Sequence, residues 1–449
     1  MFRLKTLAGA LALALLVPAA ALAQSADFTR YVAIGDSLTA GFMSNSLYVG
    51  AQQGSYPALI FQQATGSSTG FQQPTVSEPG IPPQLELRSL SPLVIAPKPG
   101  PQGEPTNLAL NRPYNNLGVP GARLHDTLVT VTGGLHNVVL RGIGTAVQQA
   151  QALNPTFVTI WIGNNDVLAA ATSGIVIEGV TLTPVPQFEA DYRTLVGALA
   201  ASNRGMAMAT IPDVTTIPFV NTVSPFLTTP VGQVPILGPN GPLTANDRVL
   251  LPASAVLAQG IGVPAALGGT GNPLPDNVVL SASELSTISS RVQSYNNIIR
   301  AVATERNAAL VDTNALLNAA ARGEIGVGGI VLTPTFLTGG IFSYDGVHPT
   351  AIGYAVVANL FIEAINERYD ADIPPVNLRP ILFGAASTSS ATASSAAASI
   401  LAPSQLDLFG EGGETPEFIF TDEAWKSMLQ ALRIDPNPKR PRGKKGGRK

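Results

Sequence analysis

Tyr31-Val32-Ala33-Ile34-Gly35-Asp36-Ser37-Leu38 is the stretch from which the fold can be read. Four consecutive apolar residues without polar alternation mark a strand covered on both faces, the habit of parallel sheets. Gly35 stops the run and leaves Ser37 between the end of a strand and the start of a helix. The same signal recurs at residues 156–162, between Pro155 and Gly163, at 206–211 before Pro212, and at 308–311 before Asp312. Helical periodicity occupies residues 138–153, 188–201, 281–306 and 350–369. The third of these opens with Ser281-Ala282-Ser283-Glu284, a capping box in which Ser and Glu satisfy each other's backbone donors. Strands alternating with helices from residue 30 to 369 predict a doubly wound α/β sandwich. Two stretches rich in Pro, Gly, Thr and Asn, residues 45–112 and 213–279, interrupt the alternation. Loops of that length are lids, binding walls or disordered segments.

The 449-residue chain is 45% hydrophobic, enough for a sizeable core, and only 12% charged, against about 25% in ordinary soluble domains. It has no cysteine, which excludes disulfides, thiolate metal sites and cysteine nucleophiles. The net charge of −3 is uneven: seven of 26 basic residues lie between Lys439 and Lys449, leaving 19 basic against 29 acidic elsewhere. A body of that sign repels polyanions, so no nucleic-acid partner is expected; only the basic tail offers attraction to anionic surfaces. At the other end, Arg3 and Lys5, the apolar residues 7–17 and Ala21-Leu22-Ala23 form an export signal over residues 1–23 with Gln24 as first mature residue. The expected compartment is the periplasm, the cell surface or the medium. Residues 24–376 read as one domain and 377–403 as an Ala/Ser-rich linker. Residues 404–449 read as a short segment ending in a disordered basic tail. Within that segment Thr421 caps a helix that puts Trp425, Met428, Leu429 and Leu432 on one face.

Only three histidines are present. His348 follows Asp345 by three residues in Ser343-Tyr344-Asp345-Gly346-Val347-His348-Pro349, a turn before the last long helix. There a carboxylate can accept from imidazole Nδ1 and leave Nε2 as a general base. Ser37 is the nucleophile such a base could serve, because a strand's C-terminal end is where open α/β sheets bind ligands. Gly163-Asn164-Asn165-Asp166 leaves another buried strand and offers a carboxamide donor for an oxyanion. Asn115-Asn116-Leu117-Gly118-Val119-Pro120-Gly121-Ala122 adds a short strand and a glycine turn whose bare N–H groups could reach the same oxygen.

Taken together and in this order, the four blocks resemble the GDSL family of the SGNH-hydrolase superfamily. The resemblance spans residues 31–365 and implies a three-layer α/β/α sandwich with a mainly parallel sheet, carrying two long insertions here. Carried onto this sequence it implies a catalytic set of Ser37, Asp345 and His348, and an oxyanion hole of Ser37, Gly121 and Asn165. Gly118 stands in the same turn as Gly121 and competes for that role. The implied activity is a secreted serine esterase or lipase working through an acyl-enzyme, with no metal or organic cofactor and a small-molecule or lipid ester as substrate. Phe226, Leu227, Val234, Ile236 and Leu237 of the second insertion are expected to wall an acyl-chain site. A carbohydrate O-deacetylase is the alternative on the same residues, and a non-catalytic surface-binding module a third. Gly66-Ser67-Ser68-Thr69-Gly70 also matches a nucleophile elbow, but lacks the strand before it and the helix after it. His125 and His136 lack metal-ligand spacing and are expected to be structural or surface residues.

Overall fold

The computed structural model describes residues 26–90, 92–201, 204–230, 232–383 and 418–440. The export signal proposed for residues 1–23, most of the linker and the end of the basic tail lie outside them. At the centre is a five-stranded parallel sheet, in the order Asn116–Gly118, Tyr31–Gly35, Phe157–Trp161, Gly205–Ala209, Ala309–Val311. Numbered along the chain this is 2-1-3-4-5, a doubly wound order whose crossovers reverse between the first and third strands. A crevice opens at the C-terminal ends of those two strands, and Ser37 and Asn164–Asn165 follow them directly. The site is therefore placed by topology before any side chain is considered.

Side chains alternate between the two faces of each strand, as the extended backbone requires. Val32, Ile34, Val158 and Ile160 join one core cluster, with the helices Ala146–Ala152, Val185–Leu199 and Ala282–Arg306 over that face. Tyr31, Ala33, Phe157 and Trp161 join a second, covered by Tyr56–Thr65 and Ala351–Tyr369. The Ser281–Glu284 capping box is formed as expected. The helix read at residues 138–153 is shorter. Arg141, Gly142 and Gly144 adopt positive φ, which ends a four-residue helix, and the second helix starts only after the Thr145 cap. Among the described residues no helix is long and apolar enough to cross a membrane.

Neither insertion is structureless. The first contributes the helix Tyr56–Thr65 and an antiparallel pair, Leu85–Leu90 with Leu93–Pro97. The second folds around its own apolar cluster, including Val223, Ile236, Leu243, Val249 and Leu257. At the C-terminal end, Phe418–Phe420 adds in parallel to the Leu93–Pro97 strand, and the helix Asp422–Ala431 follows with Thr421 accepting from the Ala424 N–H. Met428, Leu429 and Leu432 enter the main core cluster, with Trp425 packed against it.

Candidate active site

The sheet strand Tyr31–Gly35 passes so close to its neighbours that a Cβ on Gly35 would come within 2.4 Å of the Trp161 carbonyl, so only glycine fits. Asp36 then caps the short helix Ser37–Ala40, accepting from the Leu38 N–H at 3.0 Å. Its other oxygen accepts from Asn164 Nδ2 at 2.8 Å, linking the ends of the two strands that flank the crevice. Burial pushes the Asp36 carboxyl up to about 6, with the hydrogen bonds from Asn164 and Leu38 and the nearby His348 opposing it.

Ser37 Oγ lies 2.9 Å from His348 Nε2, and His348 Nδ1 lies 2.8 Å from Asp345 Oδ2. All three residues are buried, and the ring edge of Phe42 abuts the imidazole. The turn holding Asp345 is heavily bonded. Oδ1 accepts from the backbone N–H groups of Val347 and His348 at 2.9 and 2.8 Å, and Oδ2 also accepts from the Asn45 N–H at 2.7 Å. Burial alone would raise the pKa of this carboxyl; facing His348 and those N–H groups, it is held below the ordinary value. An ionised acceptor on Nδ1 keeps the imidazole proton there and leaves the Nε2 lone pair facing Ser37 Oγ.

Gly121 sits at φ +79°, a conformation that favours glycine, and its backbone N–H has no partner among the described residues. Gly118 is different: its N–H is donated to Asn116 Oδ1 at 3.0 Å, which removes it as a free donor. The Ser37 N–H is likewise unengaged. Asn165 Nδ2 donates one hydrogen to the Ala122 carbonyl at 2.9 Å, tying the amide to the Gly121 turn, while its Oδ1 is buried without a partner. Behind it, Asp166 accepts from the Leu124 N–H and Thr183 Oγ1, and burial pushes its carboxyl up to about 6.

Ser37 and His348 open onto a cleft of about 840 Å³, part of it open to solvent. Its walls are almost wholly apolar and come from Pro212, Val214 and Ile217, the helix Thr313–Ala321, and residues around Ile341–Phe342 and Val356–Val357. The expectation for the second insertion is thus corrected. Phe226, Leu227, Val234, Ile236 and Leu237 do not line this cleft, because the insertion packs on itself and lends only its first few residues. Two contributors have no signature in the sequence: Asn45, whose main-chain N–H any residue type could supply, and Asn164, which resembles its neighbour Asn165. Gly66–Gly70 lies in a loop after the helix Tyr56–Thr65 and not behind a strand. His125 is largely exposed and pairs with Asp191, whereas His136 is buried with neither ring nitrogen partnered, and burial lowers its pKa.

Comparison with curated proteins finds no match. Among solved structures, similar chains include a catalytic mutant of an acetylxylan esterase from Geobacillus stearothermophilus (16% identity, 75% of this chain and 93% of that one, TM-score 0.36). Another is a putative GDSL-like lipase from Parabacteroides merdae (17% identity, 75% and 94%, TM-score 0.34). Residues 31–361, more than two-thirds of the chain, match the model of the GDSL-like lipase/acylhydrolase family; the chain belongs to that family and is an ester-hydrolysing enzyme.

Proposed function

We propose that the chain is an exported serine esterase for carboxylic esters with an extended apolar acyl group. Ser37 Oγ attacks the ester carbonyl as its proton passes to His348 Nε2, and Asp345 holds the imidazolium that forms. The carbonyl oxygen becomes an oxyanion facing the Ser37 and Gly121 N–H groups and the remaining Nδ2 hydrogen of Asn165. The alcohol departs with the proton from His348. Water activated by the same nitrogen then attacks the acyl-enzyme, releasing the carboxylic acid and regenerating Ser37 Oγ–H.

The observation that carries the acyl preference is the apolar cleft beside Ser37 and His348. An acetyl group would leave most of it unfilled, whereas each buried methylene contributes about 0.8 kcal/mol. Export rests on the charge, apolar run and small-residue site of residues 1–23. The test is hydrolysis of p-nitrophenyl esters from acetyl to palmitoyl by the chain from Gln24 and by its Ser37→Ala variant. The expected result is an optimum at medium or long chains and a loss of roughly 10⁴-fold or more in kcat on substitution. An optimum at acetyl would turn the reading toward deacetylation, and turnover that survives Ser37→Ala would remove Ser37 as nucleophile.

A further inference from the structure

A second cavity, of about 610 Å³ and partly open to solvent, lies where Gly121 and Asn165 stand. Asn164 lines the apolar cleft; Asn165, the next residue, lines this one. Its walls are mainly polar: Arg123, Asp126 and Asn165 on the body, with Leu432, Arg433 and Ile434 from the C-terminal segment. Those last three come from beyond the family match, which ends at residue 361. They are held there firmly. Phe418–Phe420 is hydrogen-bonded to the Leu93–Pro97 strand, Phe420 N–H donates to Ser254 Oγ, and Asn45 Nδ2 donates to Ser427 Oγ. The chain then runs so near the Gly121 turn that a Cβ on Gly121 would lie 2.9 Å from the Leu432 carbonyl oxygen. Arg433, at φ +58°, brings its guanidinium to 3.7 Å from Asp126 Oδ1.

We infer that the C-terminal segment completes a binding site for the alcohol half of the ester, and that this site takes a polyhydroxylated alcohol. The inference rests on the esterase reading above. An ester held with its carbonyl oxygen between Ser37, Gly121 and Asn165 directs its two halves to opposite sides, and the apolar cleft accounts for one. The other side is lined by two arginines and a carboxylate, Arg123, Arg433 and Asp126. A hydroxyl is the neutral group that can both accept from the guanidiniums and donate to the carboxylate. A cationic alcohol would meet Arg123 and Arg433, and an anionic one would have to take guanidiniums already engaged, Arg123 by the Val180 carbonyl and Arg433 by Asp126, so neither is favoured. Arg433 is the specificity residue, because it alone of the charged groups comes from the added segment.

The test compares three esters of one acyl chain: 1-monooctanoylglycerol, 6-O-octanoylglucose and ethyl octanoate. The enzymes are the full chain from Gln24 and its Arg433→Asn and Arg433→Lys variants. Asparagine tolerates the left-handed backbone while removing the guanidinium. For Arg433→Asn, kcat/KM on a polyol ester should fall about tenfold relative to ethyl octanoate, with partial recovery in Arg433→Lys and an unchanged melting temperature. The ester with the larger loss, glycerol or sugar, identifies the alcohol. An equal effect on all three esters, or none, overturns the proposal. Wild-type turnover of ethyl octanoate that disappears in Ser37→Ala checks the esterase reading separately; a wild type inactive on every ester would overturn both.

Discussion

The cleft lined by Ser37 and the cavity lined by Gly121 and Asn165 are built from opposite materials. The apolar one is lined by the body: the start of the second insertion, the helix Thr313–Ala321 and the residues flanking His348. The polar one takes three of its eight lining residues from a segment that returns from far down the chain, Phe418 to Ile434. Each has a buried carboxylate behind it, Asp36 bonded to Asn164 on the apolar side and Asp166 next to Asn165 on the polar side. On the reading proposed above, the first holds the acyl chain and the second the alcohol. Ser37 and Asn164–Asn165 stand at strand ends, whereas Asp345 and His348 stand in a turn before the helix Ala351–Tyr369.

The largest effect expected from separating the two halves is on stability. Phe420 is fully buried, edge-on to Phe219, and anchors the returning segment. Phe420→Ala should cost about 3–5 kcal/mol in urea unfolding and reduce discrimination between polyol and ethyl esters, while sparing the acyl-length preference. Loss of acyl preference instead would break the division of labour. Next comes the apolar side. Leu316 is half-buried and lines the cleft, so Leu316→Trp should lower kcat/KM for p-nitrophenyl palmitate roughly 10- to 100-fold and leave the acetate within about twofold. Equal losses on both esters would mean that the cleft does not hold the acyl chain.

The smallest effect concerns pH. Asp36 and Asp166 both have carboxyls raised from 3.8 to about 6 by burial. Between those values the folded chain binds more protons than the unfolded one, so these two groups make stability fall as pH rises from about 4 to about 6. Asp345, held low, works in the opposite sense, contributing stability that is lost as pH falls through its depressed value. Asp166→Asn keeps an oxygen acceptor for Leu124 and removes one raised group. The drop in unfolding free energy between pH 4 and 6 should shrink by on the order of 1–2 kcal/mol. An unchanged profile would show that Asp166 does not titrate there.

Much of the candidate site was legible because its signals are local. The strand at Tyr31–Gly35 announces itself by an unbroken apolar run, and Asp345 reaches His348 across three residues within one turn. The helix read from residue 138 failed for a local reason too: a positive-φ turn at Arg141–Gly144 outranks apolar periodicity. Other features left no trace in residue type. The Asn45 N–H on Asp345 is a main-chain group, and the composition of the second insertion suited an acyl wall as well as the self-contained cluster it forms.

By itself, then, the sequence determined the alternating α/β order and which polar residues stand at the strand exits, because backbone propensity and short-range hydrogen bonding act over a few residues. Tertiary structure decided the rest. It brought Ser37 to His348 across 311 residues and kept the Gly121 N–H free while engaging that of Gly118. It also chose which apolar surfaces line a cleft and which bury one another, and carried Arg433 back to the Gly121 turn. These outcomes depend on burial and on the pairing of distant groups, and apolar contact is non-directional: a leucine carries no label for the surface it will cover.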